Sequence, residues 1–163
     1  MKDFIKNGIS FILPVIVLVL VPMYIERDIS IKNILTFVIG INIMCVGLYT
    51  MIMTIKAFIQ IGIGTLAPWN PTKELVTDGI YGYVRNPMIL GVLTVLAGES
   101  IALLSMSIFY WAILFFITNN FYFVLYEEPY LERKFGDKYM KYKMNVRRWI
   151  PGLKPYNNYR GMK

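Results

Sequence analysis

The residues best placed to do chemistry stand at Tyr126-Glu127-Glu128-Pro129. Two adjacent carboxylates close a long apolar run. A helix C-terminus and a bilayer boundary both disfavour negative charge there, so helix stability does not account for the pair. Glu128 precedes a proline and is pushed away from the α region, which predicts a kink or an end to the helix. The competing account lets Pro129 open a new amphipathic helix with both Glu residues at its N-terminus, and it explains one Glu better than two. Looking back along the run, Asn120 and Phe123 share a helical face with Glu127 at spacings of three and four. An amide, an aromatic ring and a carboxylate on one face form a candidate ligand wall.

The second constellation is Arg85-Asn86-Pro87-Met88. Asn is a good N-cap and Pro is favoured at the first helical position, so Asn86 and Pro87 can simply start a helix, with Arg85 snorkelling to headgroups. Equally, a helix N-terminus with free N–H groups beside an arginine attracts an anionic group. Gly91 and Gly98 follow on one helical face; Gly98 fits helix packing, and Gly91 either packs or makes room for a bound group. Upstream, Gly62 and Gly64 sit in a Gly- and Pro-punctuated stretch, either as turn residues or as points of close backbone approach to a ligand.

Composition narrows the chemistry. The 163 residues include one cysteine, Cys45, and no histidine. Triads that need an imidazole base are excluded, as are an intrachain disulfide and a tetrahedral zinc site; no metal is expected. The chain is 56% hydrophobic with a net charge of +7. Uncharged runs of 19 residues (between Lys6 and Glu26) and 23 (between Lys32 and Lys56) each fit a bilayer span, and the 41 residues between Arg85 and Glu127, broken only by Glu99, fit two. The patterns predict an all-α, polytopic membrane bundle of about four spans, at about 7–25, 33–55, 87–104 and 107–126, with a turn at Leu104-Ser105-Met106-Ser107. The first apolar run is read as a retained span rather than a signal peptide.

Fifteen basic residues fall on the side shared by the N-terminus, the middle loop and the tail, against two on the other. The positive-inside rule puts that side, with both termini and the candidate site, in the cytoplasm. The charge then points to anionic headgroups rather than nucleic acid. Glu99, about 18 Å along its helix from Pro87 at 1.5 Å per residue, is read as a snorkelling or packing residue. In the tail, Gly136 is a helix C-cap candidate. Tyr139, Tyr142 and Val146 share one face among lysines, as in an interfacial amphipathic helix that anchors the chain or covers a cytosolic pocket. Two regions follow: 1–56 with two spans, and 57–163 with the cytosolic loop, a membrane hairpin over 87–126 and the tail.

Leu75-Val76-Thr77-Asp78-Gly79-Ile80-Tyr81, Arg85-Asn86-Pro87-Met88 with Gly91, Glu127-Glu128, and Phe135-Gly136 with Tyr139 and Tyr142 resemble, in order and spacing, the integral-membrane methyltransferases that use S-adenosylmethionine. These include isoprenylcysteine carboxyl methyltransferases and phospholipid N-methyltransferases. The resemblance covers roughly residues 60–151. The isoprenylcysteine enzymes usually have Arg-His-Pro where Asn86 stands here, and an Arg near the end of the last span where this chain has none. The Asn-Pro-Met and Tyr-Glu-Glu-Pro runs look closer to the phospholipid enzymes.

The resemblance implies S-adenosylmethionine as cofactor and a lipid-like or prenylated substrate, either an isoprenylcysteine carboxylate or a phospholipid amine. It implies cofactor contacts from Gly62, Gly64, Lys73, Glu74, Leu75, Val76, Tyr81, Asn86, Pro87, Met88, Ile89, Gly91, Glu127 and Glu128. Arg85 and Glu127 would be central to catalysis, with Arg85 reaching the cofactor carboxylate, and Asn120 and Phe123 would face the substrate. The alternative from another class is a non-catalytic membrane protein that keeps the fold and uses its basic tail as a lipid anchor.

Overall fold

The computed structural model describes residues 13–27, 29–61 and 75–156. Among the described residues the fold is helical and contains no strand. Helix α1 covers Leu13–Ile25, α2 Ile34–Ile61, α3 Pro87–Leu103, α4 Met106–Tyr122, α5 Glu128–Phe135 and α6 Asp137–Asn145; a 3₁₀ turn lies at Gly79–Gly82. Two helical stretches, Ile34–Ala57 and Met106–Phe135, are long and apolar enough to cross a membrane, and only 17% and 11% of their apolar windows are buried within the protein. Apolar surface of that extent facing outward is the kind a bilayer covers. Leu13–Ile25 and Pro87–Leu103 are apolar but shorter.

Two turns of π-helix have the same cause. At Ile16–Leu20 and at Phe123–Glu127 the chain widens, and a proline follows two residues later, Pro22 and Pro129. Proline cannot donate a backbone bond and its ring clashes with the carbonyl four residues back; the wider turn relieves that clash without breaking the helix. The Val21 N–H therefore bonds the Ile16 carbonyl, and the Glu128 N–H bonds the Phe123 carbonyl. In α1 this leaves the Val17 carbonyl to the Trp111 indole N–H, 3.1 Å away on α4. The predicted kink or end at Glu128 is thus corrected. Glu128 is in the α region (φ −62°, ψ −47°), and α4 runs through the π-turn into α5.

Asn33 caps α2, its Oδ1 accepting from the backbone N–H of Leu35 at 2.8 Å and of Thr36 at 3.3 Å. The closest packing is between α2 and α3. A Cβ on Gly40 would stand 2.5 Å from the Gly98 carbonyl oxygen, and one on Gly47 would stand 2.7 Å from that of Gly91. Two glycine pairs, seven residues apart on each antiparallel helix, let the backbones touch. Beside them a core of Met51, Val92, Val95, Leu96, Ile108 and Phe115 fills the bundle.

At the turn between α3 and α4, Leu104 takes the left-handed conformation (φ 49°) and Ser105 caps α4, accepting from the Ile108 N–H at 3.2 Å. The Ser105 hydroxyl also donates to the Glu26 carboxylate after α1. Glu99 lies near this end, lining with Glu26 a mostly apolar cavity of about 240 Å³.

Candidate functional site

The opposite, polar end is organised by Glu128. The Glu128 carboxylate, at the junction of the π-turn and α5, is buried, its side chain 7% exposed. Three cations converge on it: Arg85 Nη1 on Oε1 at 2.8 Å, Arg148 Nε on Oε1 at 2.6 Å, and Lys143 Nζ on Oε2 at 2.9 Å. Lys143 also reaches Glu132 at 2.6 Å. These partners come from three parts of the chain: the segment before α3, helix α6, and the stretch after it. An enclosed carboxylate is tolerable only when such partners compensate its lost hydration.

The segment carrying Arg85 is fixed from two sides. Its backbone pairs with the tail through Arg85 N–H to the Arg147 carbonyl at 3.0 Å, Gly152 N–H to the Tyr83 carbonyl at 2.8 Å, and Tyr156 N–H to the Gly82 carbonyl at 2.9 Å. Helix α6 covers it with Tyr139 and Tyr142, which with Val146 pack on Leu75, Leu131, Phe135 and Tyr156. The Tyr142 hydroxyl donates to the Tyr81 carbonyl at 2.8 Å, and the Tyr139 oxygen accepts from Arg85 Nη1 at 3.3 Å. Burial raises both phenols above their ordinary range, so both stay neutral. Of the two roles open to this face, anchoring the chain or covering a site, the packing matches the second: the site segment offers it an apolar partner.

Glu127 contrasts with its neighbour. It is half-buried and forms no ion pair among the described residues. Burial, then Tyr142, then Glu127 push the Tyr81 phenol well above its ordinary value, which places Tyr81 within electrostatic reach of this acid. Asn86 caps α3 through its backbone position ahead of Pro87 but makes no side-chain cap hydrogen bond, so its amide is not used in starting the helix.

The other residues singled out from the sequence divide. Leu75, Val76, Tyr81, Arg85, Asn86 and Pro87 belong to the segment that α6 and the tail cover. Met88 and Ile89 pack against the bundle core, and the open side of Gly91 meets Met51 and Gly47 of α2. Gly62, Gly64, Lys73 and Glu74 lie outside the described residues. Asn120 Oδ1 accepts from Arg148 Nη1 at 3.1 Å and from Trp149 Nε1 at 3.0 Å, and the Phe123 ring meets Trp149 edge-on with centroids 5.7 Å apart. Arg148, Trp149 and Lys143 were not singled out from the sequence. The Arg147-Arg148-Trp149 run, cationic and aromatic in a tail that otherwise reads as an ending, was the signal available.

A family model for phospholipid methyltransferase matches residues 35–138, which include Arg85, Asn86, Pro87 and both carboxylates. The chain belongs to the phospholipid methyltransferase family. It is therefore of methyltransferase type. Among its relatives, a protein of Haemophilus influenzae described as uncharacterized is 40% identical over 68 residues, 42% of this chain and 98% of that protein. A protein-S-isoprenylcysteine O-methyltransferase of Schizosaccharomyces pombe is 31% identical over 122 residues, 69% of this chain and 48% of that enzyme, so the chain spans about half of its length. No solved structure matches.

Proposed function

We propose that this member of the family transfers a methyl group from S-adenosylmethionine to a lipid-like substrate at the polar end of the bundle. The observation that carries the reading is the difference between the two carboxylates. Glu128 is neutralised by three cations, whereas Glu127 next to it is half-buried with no cation paired to it among the described residues. A carboxylate so placed fits a cationic or hydroxyl-bearing ligand, and hydrogen bonds to charged groups contribute ~1.5–3 kcal/mol. The bound cofactor would supply a sulfonium-activated methyl group.

The chain's own residues bind and align. Glu127 would accept from the cofactor's ammonium or ribose hydroxyls. Tyr81 and Asn86 flank it, and Leu75 and Val76 form part of the wall. Glu128 holds Arg85 and the tail in place around the site. In-line displacement needs alignment and exclusion of water more than an acid or base. A carboxylate acceptor needs no base, and an amine acceptor needs only to arrive deprotonated, so a chain without histidine is suited to either. The substrate enters sideways from the bilayer and the cofactor from the cytoplasm, with four spans, both termini on the cytoplasmic side, and regions 1–56 and 57–163 as support and methyl-transfer units.

Calorimetry with S-adenosylhomocysteine in detergent tests the cofactor. Saturable binding to wild type and its loss in Glu127→Ala are expected; no binding, or equal binding, overturns the assignment. Membranes incubated with methyl-labelled cofactor then test the acceptor. Base-labile label in a prenylcysteine analogue marks an ester, and base-stable label in a lipid headgroup marks N-methylation.

A further inference from the structure

We infer that Arg148, with Asn120, forms a subsite for the phosphodiester of the lipid substrate. The inference rests on the methyl-transfer reading of the same end of the molecule, where Arg148 is already one of the three cations on Glu128. Arg148 and Trp149 lie beyond the residues 35–138 that the family model matches.

Three cations, Arg85, Arg148 and Lys143, meet at Glu128. Of the two arginines, Arg148 is the accessible one, its side chain 21% exposed against 10% for Arg85. Its Nε is taken by Glu128 and its Nη1 by Asn120. Its Nη2 carries two N–H donors with no partner among the described residues.

Asn120 adds to this. Its Oδ1 is held by two groups that can only donate, the Arg148 guanidinium and the Trp149 indole, which fixes the amide orientation. The Nδ2 donors are thereby turned away from both and are likewise unpartnered among the described residues. Unpartnered N–H donors on two neighbouring side chains, one of them a guanidinium, suit an anionic oxygen group.

The setting selects which anion. Asn120 belongs to the membrane-length helix, and Trp149 packs edge-on against Phe116 and Phe123 of that helix at 5.3 and 5.7 Å. Phe116 is 38% exposed on its outward side. An amphiphile lying against those rings brings its headgroup to Arg148. At the edge of the hydrocarbon, the anionic group a bilayer presents is the lipid phosphodiester, whose two non-bridging oxygens can accept from both side chains.

Three single-chain probes that differ only in the head test this on the full chain in detergent with S-adenosylhomocysteine present: dodecylphosphoethanolamine, dodecylamine and dodecanoate. Wild type is expected to bind the phosphodiester most tightly. Arg148→Gln should weaken that binding by about tenfold or more and leave dodecylamine unaffected, the size expected for a charge-assisted contact. Asn120→Asp keeps the arginine and its contact with Glu128 but neutralises the subsite, and should cause a similar loss even if Arg148→Gln does not fold. Equal binding of the amine and the phosphodiester, tighter binding of dodecanoate, or unchanged affinity in either folded variant overturns the subsite. Both variants should still bind S-adenosylhomocysteine; failure of wild type to bind it would instead overturn the cofactor assignment.

Discussion

Where α2 meets α3, contact is made by residues without side chains. Where the 75–86 segment meets α5, α6 and the tail, backbone pairs and an aromatic cluster are joined by long charged side chains that meet at one carboxylate. In the first region Gly40 faces Gly98 and Gly47 faces Gly91, and the backbones approach until a single methyl group would collide. In the second, Arg85, Lys143 and Arg148 reach across gaps to one buried carboxylate. Lipid tails are as apolar as leucine, so hydrophobic burial cannot draw two helices together in a bilayer, and close dispersion contact between small residues does it instead. At the polar end, attraction between charges holds the segments, and its most buried pair, Arg85 with Glu128, depends on both partners because each has given up its water. The first region fixes a distance between helices. The second fixes which charged groups are paired among the described residues.

This contrast can be broken most severely at its charged side. Glu128→Gln leaves Arg85 buried opposite a neutral group and should cost about 3–5 kcal/mol, the range for breaking a buried pair. Thermal unfolding in detergent measures the loss, and limited proteolysis should show the 75–86 segment and the tail released first. An unchanged transition would mean that Glu128 does not hold the polar end. Glu127→Gln, one residue away, should do the opposite. Stability should stay within about 0.5 kcal/mol of wild type, while affinity for S-adenosylhomocysteine falls roughly 10–100-fold, as expected for losing ~1.5–3 kcal/mol. Equal destabilisation by the two substitutions would erase the distinction between a structural and a ligand-binding carboxylate.

On the apolar side, Gly98→Val places a Cβ 2.7 Å from the Gly40 carbonyl and 2.6 Å from the Met44 side chain. Overpacking of this kind costs about 1–3 kcal/mol, and the folded fraction should bind S-adenosylhomocysteine as wild type does. Combined with Glu128→Gln, the two losses should add within ~0.3–0.5 kcal/mol if the regions are independent; a larger coupling would show that helix spacing sets the charge cluster. The smallest effect belongs to Lys143→Met. Lys143 and Glu132 are each about a third exposed, and pairs of that kind contribute ~0–1 kcal/mol. A loss of several kcal/mol would place Lys143 among the essential partners of Glu128.

Much of this was legible in the chain. The helix starts at Asn86-Pro87 and the stop at Gly136 follow from backbone chemistry confined to a few residues. The turn at Leu104-Ser105 and the shared face of Tyr139 and Tyr142 were readable for the same reason. Glu128 was misread because the rule for residues before proline considers one residue at a time, and a π-turn beginning five residues earlier relieved the clash. The glycine pairing was half legible. Gly91 and Gly98 showed a small face, and Gly40 and Gly47 carry the same spacing of seven, but nothing local says that the two faces meet.

The sequence by itself determined the helices, their apolar outward faces and the presence of two carboxylates where a helix does not want them. Hydropathy, capping and face periodicity act over a few residues, so they can be read along a line. Only the tertiary structure decided which carboxylate is neutralised and which, among the described residues, is not. Arg85 reaches Glu128 across 43 positions and Arg148 reaches Asn120 across 28. Whether a charge is paired depends on which remote segment arrives beside it, and that is a property of the packed chain.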